Sequence, residues 1–127
     1  MLVGFGTHHG SVIAGDEWGA PMRRMEMPEA RSGSFEDVLH RGVGRDALLV
    51  FDGSDDGGIR GLDAPIPHRA IGVVYDPRAE RWGNYVPTII PRRYDAFIHI
   101  EGSHAVDPLH MPALVDGEVP ETYPSGM

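Results

Sequence analysis

Short apolar segments, separated by polar and glycine- or proline-rich stretches, form the hydrophobic pattern of this chain. Residues 2–5 and 11–14 are apolar, and they predict two strands around a turn at residues 8–10. The chain opens directly on the first of these runs, so we expect it to be part of a longer protein. The alternation over residues 22–27 predicts a further strand.

Three stronger strand patterns follow. Residues 47–51 and 70–75 are continuous apolar runs, which are typical of strands buried on both faces of a sheet. Residues 96–100 alternate, which places Phe97 and His99 on the face opposite the other three side chains.

One short helix is predicted after Ser34. The hydroxyl of Ser34 can accept the backbone N–H of Asp37, and the acidic side chains of Glu36 and Asp37 suit the positive end of a helix. We expect the helix to end at Gly42, because a glycine there can take the left-handed conformation that closes many helices.

These elements predict an α/β domain, with a partial mixed sheet and few short helices. The helices are too few to cover both faces of an open sheet, so we expect an exposed apolar face that another segment or chain covers. One structured domain is predicted over residues 1–110. Residues 111–127 predict a flexible tail and residues 52–58 a mobile loop, because both are acidic and rich in turn-forming residues.

Composition narrows the classes of function. The net charge of −8 disfavours nucleic acid and anionic membrane surfaces as partners. All 11 basic residues are arginine. The 127 residues contain no cysteine, which excludes disulfides and thiol chemistry within them and fits a cytoplasmic location. No apolar run in the sequence is long enough to predict a membrane span.

Two histidines near the start are the first candidates for chemistry. His8 and His9, with Glu17 nearby, carry the atoms for a divalent metal site or a general base. Adjacent strand residues point to opposite faces, however, so we predict no metal site and no cofactor. We expect His99 to be half-buried or solvent-facing and not a ligand. Ser34 lacks the Gly-x-Ser-x-Gly elbow of a serine hydrolase, which favours the capping role.

Several motifs, taken in order and spacing, carry a family resemblance. They are Gly-Phe-x-Thr-x-x-Gly-Ser-Val-x-Ala from residue 4, Trp-Gly at 18, Pro28 before the Ser34 helix, Arg-Ala-Ile-Gly-Val-Val-Tyr from 69, Asn-Tyr-Val-Pro from 84 and Tyr-Asp-Ala from 94. Over residues 3–109 the chain resembles the C-terminal portion of the erythromycin esterase-like family.

The resemblance implies a hydrolase of several hundred residues that cleaves esters, and in its best-known members macrolide lactones, which inactivates those antibiotics. It implies a histidine base that activates water without a required metal. The family's Gly-Glu…His-Gly and His-Asn-x-His regions lie upstream of the matched segment and are absent here, so we assign no catalytic residue. The resemblance implies only cleft-wall positions, namely Thr7, His8, His9, Glu17 and Trp18.

Three functional hypotheses stay open. The first is the C-terminal part of such an esterase, inactive without an N-terminal half and acting on a small-molecule ester in the full-length protein. The second is a stand-alone binding domain that self-associates through its exposed sheet face. The third is a small metal-dependent hydrolase centred on His8, His9 and Glu17.

Overall fold

The computed structural model describes residues 1–51, 61–107 and 109. Its elements, in chain order, are β1 Val3–Ala14, β2 Arg23–Met27, α1 Phe35–Gly42, β3 Ala47–Val50, β4 Ile66–Arg69, α2 Glu80–Gly83, β5 Tyr85–Thr88, α3 Ile90–Arg93 and β6 Ala96–Ser103. The predicted mobile loop at 52–58 and the predicted tail at 111–127 lie outside the described residues. Within the described ranges, no helix is long and apolar enough to cross a membrane.

Four strands form one mixed sheet in the order β2-β1-β6-β3. β1 runs parallel to β6 and antiparallel to β2, and β3 runs antiparallel to β6. β4 and β5 form a separate antiparallel pair. The predicted α/β class, with a partial mixed sheet and few short helices, is therefore confirmed.

Helix α1 covers one face of the sheet and begins as predicted. The Ser34 hydroxyl accepts the N–H of Asp37 at 3.2 Å. The helix ends at Gly42 as predicted, but Gly42 is still helical and the left-handed residue is Gly44, with a φ of 63°. The backbone N–H groups of Val43 and Gly44 both donate to the carbonyl of Leu39 and close the last turn.

Two groups of buried apolar side chains hold the elements together. The first group joins α1 to the sheet and to α3, and its fully or nearly buried members are Phe35, Leu39, Leu62, Ile90 and Phe97. The second group lies where β1 meets β2, and its members are Ala14, Met25, Met27 and Tyr75. Both groups pack side chains from distant parts of the chain, and the first group fixes α1 against the central strands β1 and β6.

β1 is one strand of 12 residues, so the turn predicted at residues 8–10 is wrong. The first part of β1 pairs with β6 and the last part pairs with β2, and these ladders keep the chain extended through the polar residues. Gly10, with φ of 132°, lies where the two ladders meet. A Cβ atom at Gly10 would lie 1.9 Å from the carbonyl oxygen of Ser103, so the close pairing there requires glycine.

The two strands predicted to be buried on both faces differ from the prediction. β3 is an edge strand, and residues 70–75 lie outside the named strands, with only an isolated bridge between Val74 and Gly15. Within the part of the chain that the structure describes, the sheet face opposite α1 is open: Phe5, Leu48 and Val50 are 64%, 65% and 67% exposed. The expected exposed apolar face is therefore present, and β3 forms part of it.

Candidate functional site

An open groove of about 720 Å³ lies between α1, the segment before it and the start of α2. Polar side chains dominate its lining, which consists of His8, Pro28, Glu29, Ala30, Arg31, Ser32, Asp37, His40, Arg41, Pro77, Glu80 and Arg81. Two imidazole rings, those of His8 and His40, therefore border a space large enough for a small molecule.

The parallel pairing of β1 and β6 brings chemistry-bearing residues from the two ends of the chain together. The register sets His9 opposite Gly102, and it therefore sets His8 beside Glu101. Because strand side chains alternate, His99 shares a face with Glu101. This is the face that α1 covers, so His8, His99 and Glu101 all lie between the sheet and the helix.

Helix α1 adds a further histidine to this group. The ring of His40 stacks on that of His8, with centroids 3.7 Å apart and an angle of 7° between the planes. Nδ1 of His40 also hydrogen-bonds to the carboxylate of Glu101. His8 is only 3% exposed, whereas His40 is half-buried at the border of the groove.

The carboxylate of Glu101 is held by two imidazoles. Besides the His40 contact, it lies 2.9 Å from Nε2 of His99. Partial burial disfavours the charged form, but the hydrogen bonds to His99 and His40 outweigh it and hold the pKa of Glu101 below its usual value. The backbone N–H of Glu101 donates to Asp46 at 2.8 Å. The site therefore contains an ionised, oriented carboxylate at neutral pH.

His8 and His9 approach each other through their Nδ1 atoms, which are 3.0 Å apart. Burial, assisted by the nearby His40, lowers the pKa of His8 below 6.5 and keeps its imidazole neutral near pH 7. A neutral imidazole beside a groove can accept a proton from water or ligate a metal ion. The prediction that strand alternation keeps the two histidines apart is wrong for these ring nitrogens.

The structure brings only some of the predicted cleft residues together. His8 lines the groove, and His9 contacts the ring of His8. Thr7 lines a smaller groove of about 270 Å³ and donates its hydroxyl to the carbonyl of His9. Glu17 and Trp18 lie in the turn after β1, and both are exposed. The strand from His8 to that turn is about 20 Å long. A cleft role for these two residues stays a prediction.

Sequence reasoning missed His40, His99 and Glu101. The expectation that His99 is half-buried or solvent-facing is wrong, because it is 0% exposed. The sequence did indicate that His40 shares a helix face with Glu36, since residues four apart lie on the same face. Nothing local in the sequence indicated that β6 pairs in parallel with β1.

A second polar cluster, buried between α1 and β4, was also missed. The carboxylate of Glu36, 0% exposed, lies 2.5 Å from Nδ1 of His68 and accepts the backbone N–H of Arg69 at 3.2 Å. Nε2 of His68 lies 3.0 Å from the hydroxyl of Tyr94. These contacts satisfy a buried carboxylate and fix α1 against β4.

The guanidinium of Arg69 ties this cluster to the groove. It lies 2.6 Å from the carboxylate of Glu80, and it donates to the backbone carbonyls of Thr7, His8 and Pro28 at 2.8–3.1 Å. Arg69 thus holds the backbone on which His8 is mounted. Burial raises the pKa of Glu80, although the Arg69 charge opposes this shift.

Comparisons with known proteins identify the family. The family model described as Erythromycin esterase matches residues 1–103. Among solved structures, a succinoglycan biosynthesis protein is similar, with a TM-score of 0.59 and 19% sequence identity over 80% of this chain. That match covers 24% of the solved chain, so this chain spans about a quarter of its length, and the likeness shows the fold alone. By the family match over most of its length, the chain belongs to the erythromycin esterase family.

Proposed function

We propose that this chain supplies the C-terminal part of an ester hydrolase whose substrates are small-molecule esters or macrolide lactones. The observation that carries the proposal is the family match over residues 1–103, in a segment that lacks the Gly-Glu…His-Gly and His-Asn-x-His regions. The catalytic base would come from the N-terminal half of the fold. On this proposal the protein acts in the cytoplasm and contributes to resistance to macrolide antibiotics.

The open face of the sheet supports the proposal that a separate N-terminal part completes the enzyme. Phe5, Leu48 and Val50 are each about two-thirds exposed on the face opposite α1. Apolar side chains on a sheet face are normally covered by a second layer. The similar solved structure is about four times as long as the matched region. In a protein of that length, the N-terminal part could supply the missing layer.

In the proposed reaction, a base takes a proton from water and the hydroxide oxygen bonds to the ester carbonyl carbon. The tetrahedral intermediate then collapses, the bond from carbon to the alcohol oxygen breaks, and a proton restores the alcohol. The groove bordered by His8 and His40 would form one wall of the cleft. Arg31 and Arg81 in its lining could hold the carboxylate that hydrolysis produces.

Reconstitution tests this proposal. The purified chain would be assayed for hydrolysis of p-nitrophenyl butyrate and for addition of water to erythromycin by mass spectrometry. We expect no turnover alone, and turnover when the chain is co-expressed with a family esterase that lacks its own matching C-terminal segment. Turnover by the chain alone, or failure of reconstitution with soluble partners, would contradict the proposal.

A matched pair of variants links the assay to the open face. Leu48→Glu introduces a charge on that face and should abolish reconstitution. Val43→Glu places the same charge at the end of α1, where Val43 is 40% exposed, and should leave reconstitution intact. Equal effects of both variants would show that the open face is not where the N-terminal half binds.

The second candidate, a stand-alone domain that self-associates, is favoured by the same open face. It predicts a monodisperse dimer or larger oligomer of the isolated chain in analytical ultracentrifugation. The Leu48→Glu variant would then be monomeric and folded. A wild-type chain that is monomeric at all concentrations would exclude this candidate.

A further inference from the structure

The pair of adjacent histidines in β1 converges with a carboxylate of β6. One ring nitrogen each of His8 and His9 and a carboxylate oxygen of Glu101 all lie within 4.8 Å of one another. The two Nδ1 atoms of the histidines are separated by 3.0 Å. This set replaces the combination with Glu17 that the sequence suggested.

The local backbone explains how neighbours in a strand can converge. His9 lies opposite Gly102, and its ring occupies the space that a side chain at 102 would need: Nε2 lies 3.0 Å from the position of a Cβ there. The ladder between β1 and β2 begins only at Gly10, so no β2 residue is paired with His8 or His9. Nδ1 is the ring nitrogen nearer the backbone, and it is the atom through which each ring approaches the other.

The geometry suits a small divalent ion. Zn²⁺ binds imidazole nitrogen at 2.0–2.1 Å, so two nitrogens in a tetrahedral site lie about 3.3 Å apart. The observed separation of the Nδ1 atoms of His8 and His9 is close to this value. Imidazole and carboxylate ligands favour Zn²⁺ and its first-row neighbours over Mg²⁺, which prefers oxygen ligands.

The carboxylate is already held by groups that do not themselves belong to the three-ligand set. His99 contacts one oxygen of Glu101 and His40 the other. His99 is fully buried, and the His40 ring is stacked on His8. Hydrogen-bonded partners of this kind orient metal-binding carboxylates in known sites.

We propose that His8, His9 and Glu101 bind one divalent first-row metal ion, with Zn²⁺ the best match. Three protein ligands leave a fourth tetrahedral position for water or a ligand atom, beside the groove that His8 lines. The ion would also join β1 to β6. This inference goes beyond the proposed esterase function and does not depend on it.

Calorimetric titration of the untagged, EDTA-treated chain with Zn²⁺ tests the site. We expect one Zn²⁺ per chain, with Mg²⁺ far weaker. Loss of an outer-shell partner typically weakens metal binding by about 10–100-fold, so His9→Ala or Glu101→Gln should raise the Kd at least about 100-fold. His104→Ala is the matched control, because His104 is exposed and lies outside the cluster.

Co²⁺ absorption gives a second readout, since a tetrahedral site produces strong visible bands. We expect these bands in the wild type and in His104→Ala but not in His9→Ala. His9 is exposed, so its replacement should leave the circular dichroism spectrum unchanged. Absence of stoichiometric Zn²⁺ binding, or binding that survives His9→Ala unchanged, would overturn the proposal.

Discussion

The imidazole rings of His8 and His40 lie parallel, with centroids 3.7 Å apart. One ring belongs to β1 and the other to α1, so the stack couples the position of the helix to the groove. The same helix is anchored in the core by Phe35 and Leu39. Substitutions that loosen α1 should therefore lower stability and disturb the groove together.

The cap of α1 gives the first prediction. Ser34→Ala removes the hydroxyl that accepts the N–H of Asp37, which should lower the free energy of unfolding by about 1 kcal/mol. Urea unfolding followed by circular dichroism measures the change. Ser32→Ala, an exposed position two residues earlier, should be close to neutral. Equal losses from both variants would argue against the cap.

The buried carboxylate of Glu36 gives the second prediction. In Glu36→Gln the charge is lost, and the side-chain NH₂ group cannot accept the N–H of Arg69 as a carboxylate oxygen does. We expect the free energy of unfolding to fall by about 1–3 kcal/mol, the cost of an unsatisfied buried group. Glu26→Gln, at an exposed position in β2, is the control for a lost negative charge and should be nearly neutral.

Substitution by alanine should change the free energy of unfolding in opposite directions at two glycines. Gly10→Ala forces a Cβ against the Ser103 carbonyl at a φ of 132° and should cost at least about 1–3 kcal/mol. Gly42→Ala lies in the helix with open space around it and should stabilise by about 0.5–1 kcal/mol. The thermal unfolding temperatures of both variants measure these changes. A Gly10→Ala variant as stable as the wild type would contradict the strand pairing at Gly10.

The ion pair of Glu80 predicts a pH dependence. Burial raises the pKa of Glu80, so the folded state holds its proton at pH values where the unfolded chain has released it. The contribution of Glu80 to stability is therefore present below its unfolded pKa near 4.5 and declines as pH rises through the folded pKa. Glu80→Gln should remove this slope, because the neutral amide does not titrate.

Unfolding free energies at a series of pH values above and below 4.5 would measure this slope in both proteins. The expected signature is a difference between wild type and variant that changes with pH in this range. Glu26→Gln is again the control, because it removes one carboxylate from an exposed position. A constant difference between wild type and Glu80→Gln would contradict a raised pKa for Glu80.

Local signals in the sequence were sufficient for individual elements. Four features depend mainly on residues close together in the chain, and each was predictable. They are the Ser34 cap, the start of α1, the β2 strand and the alternation of β6. The family could also be identified, because its motifs are read in order along the chain. The α/β class followed from these elements.

Tertiary pairing decided what the sequence left open. An apolar run does not reveal whether a second layer covers it, so β3 was predicted as buried although Leu48 is exposed. The polar residues of β1 suggested a turn, but ladders with β6 and β2 kept that segment extended.

The candidate site shows the same limit. The sequence by itself determined that His8 and His9 were chemical candidates and that a short helix would begin after Ser34. Only the parallel pairing of β1 with β6 brought Glu101 and His99 to His8, and only the packing of α1 placed His40 there. These contacts join residues from opposite ends of the chain, and their free energy comes from core packing, which no local pattern encodes.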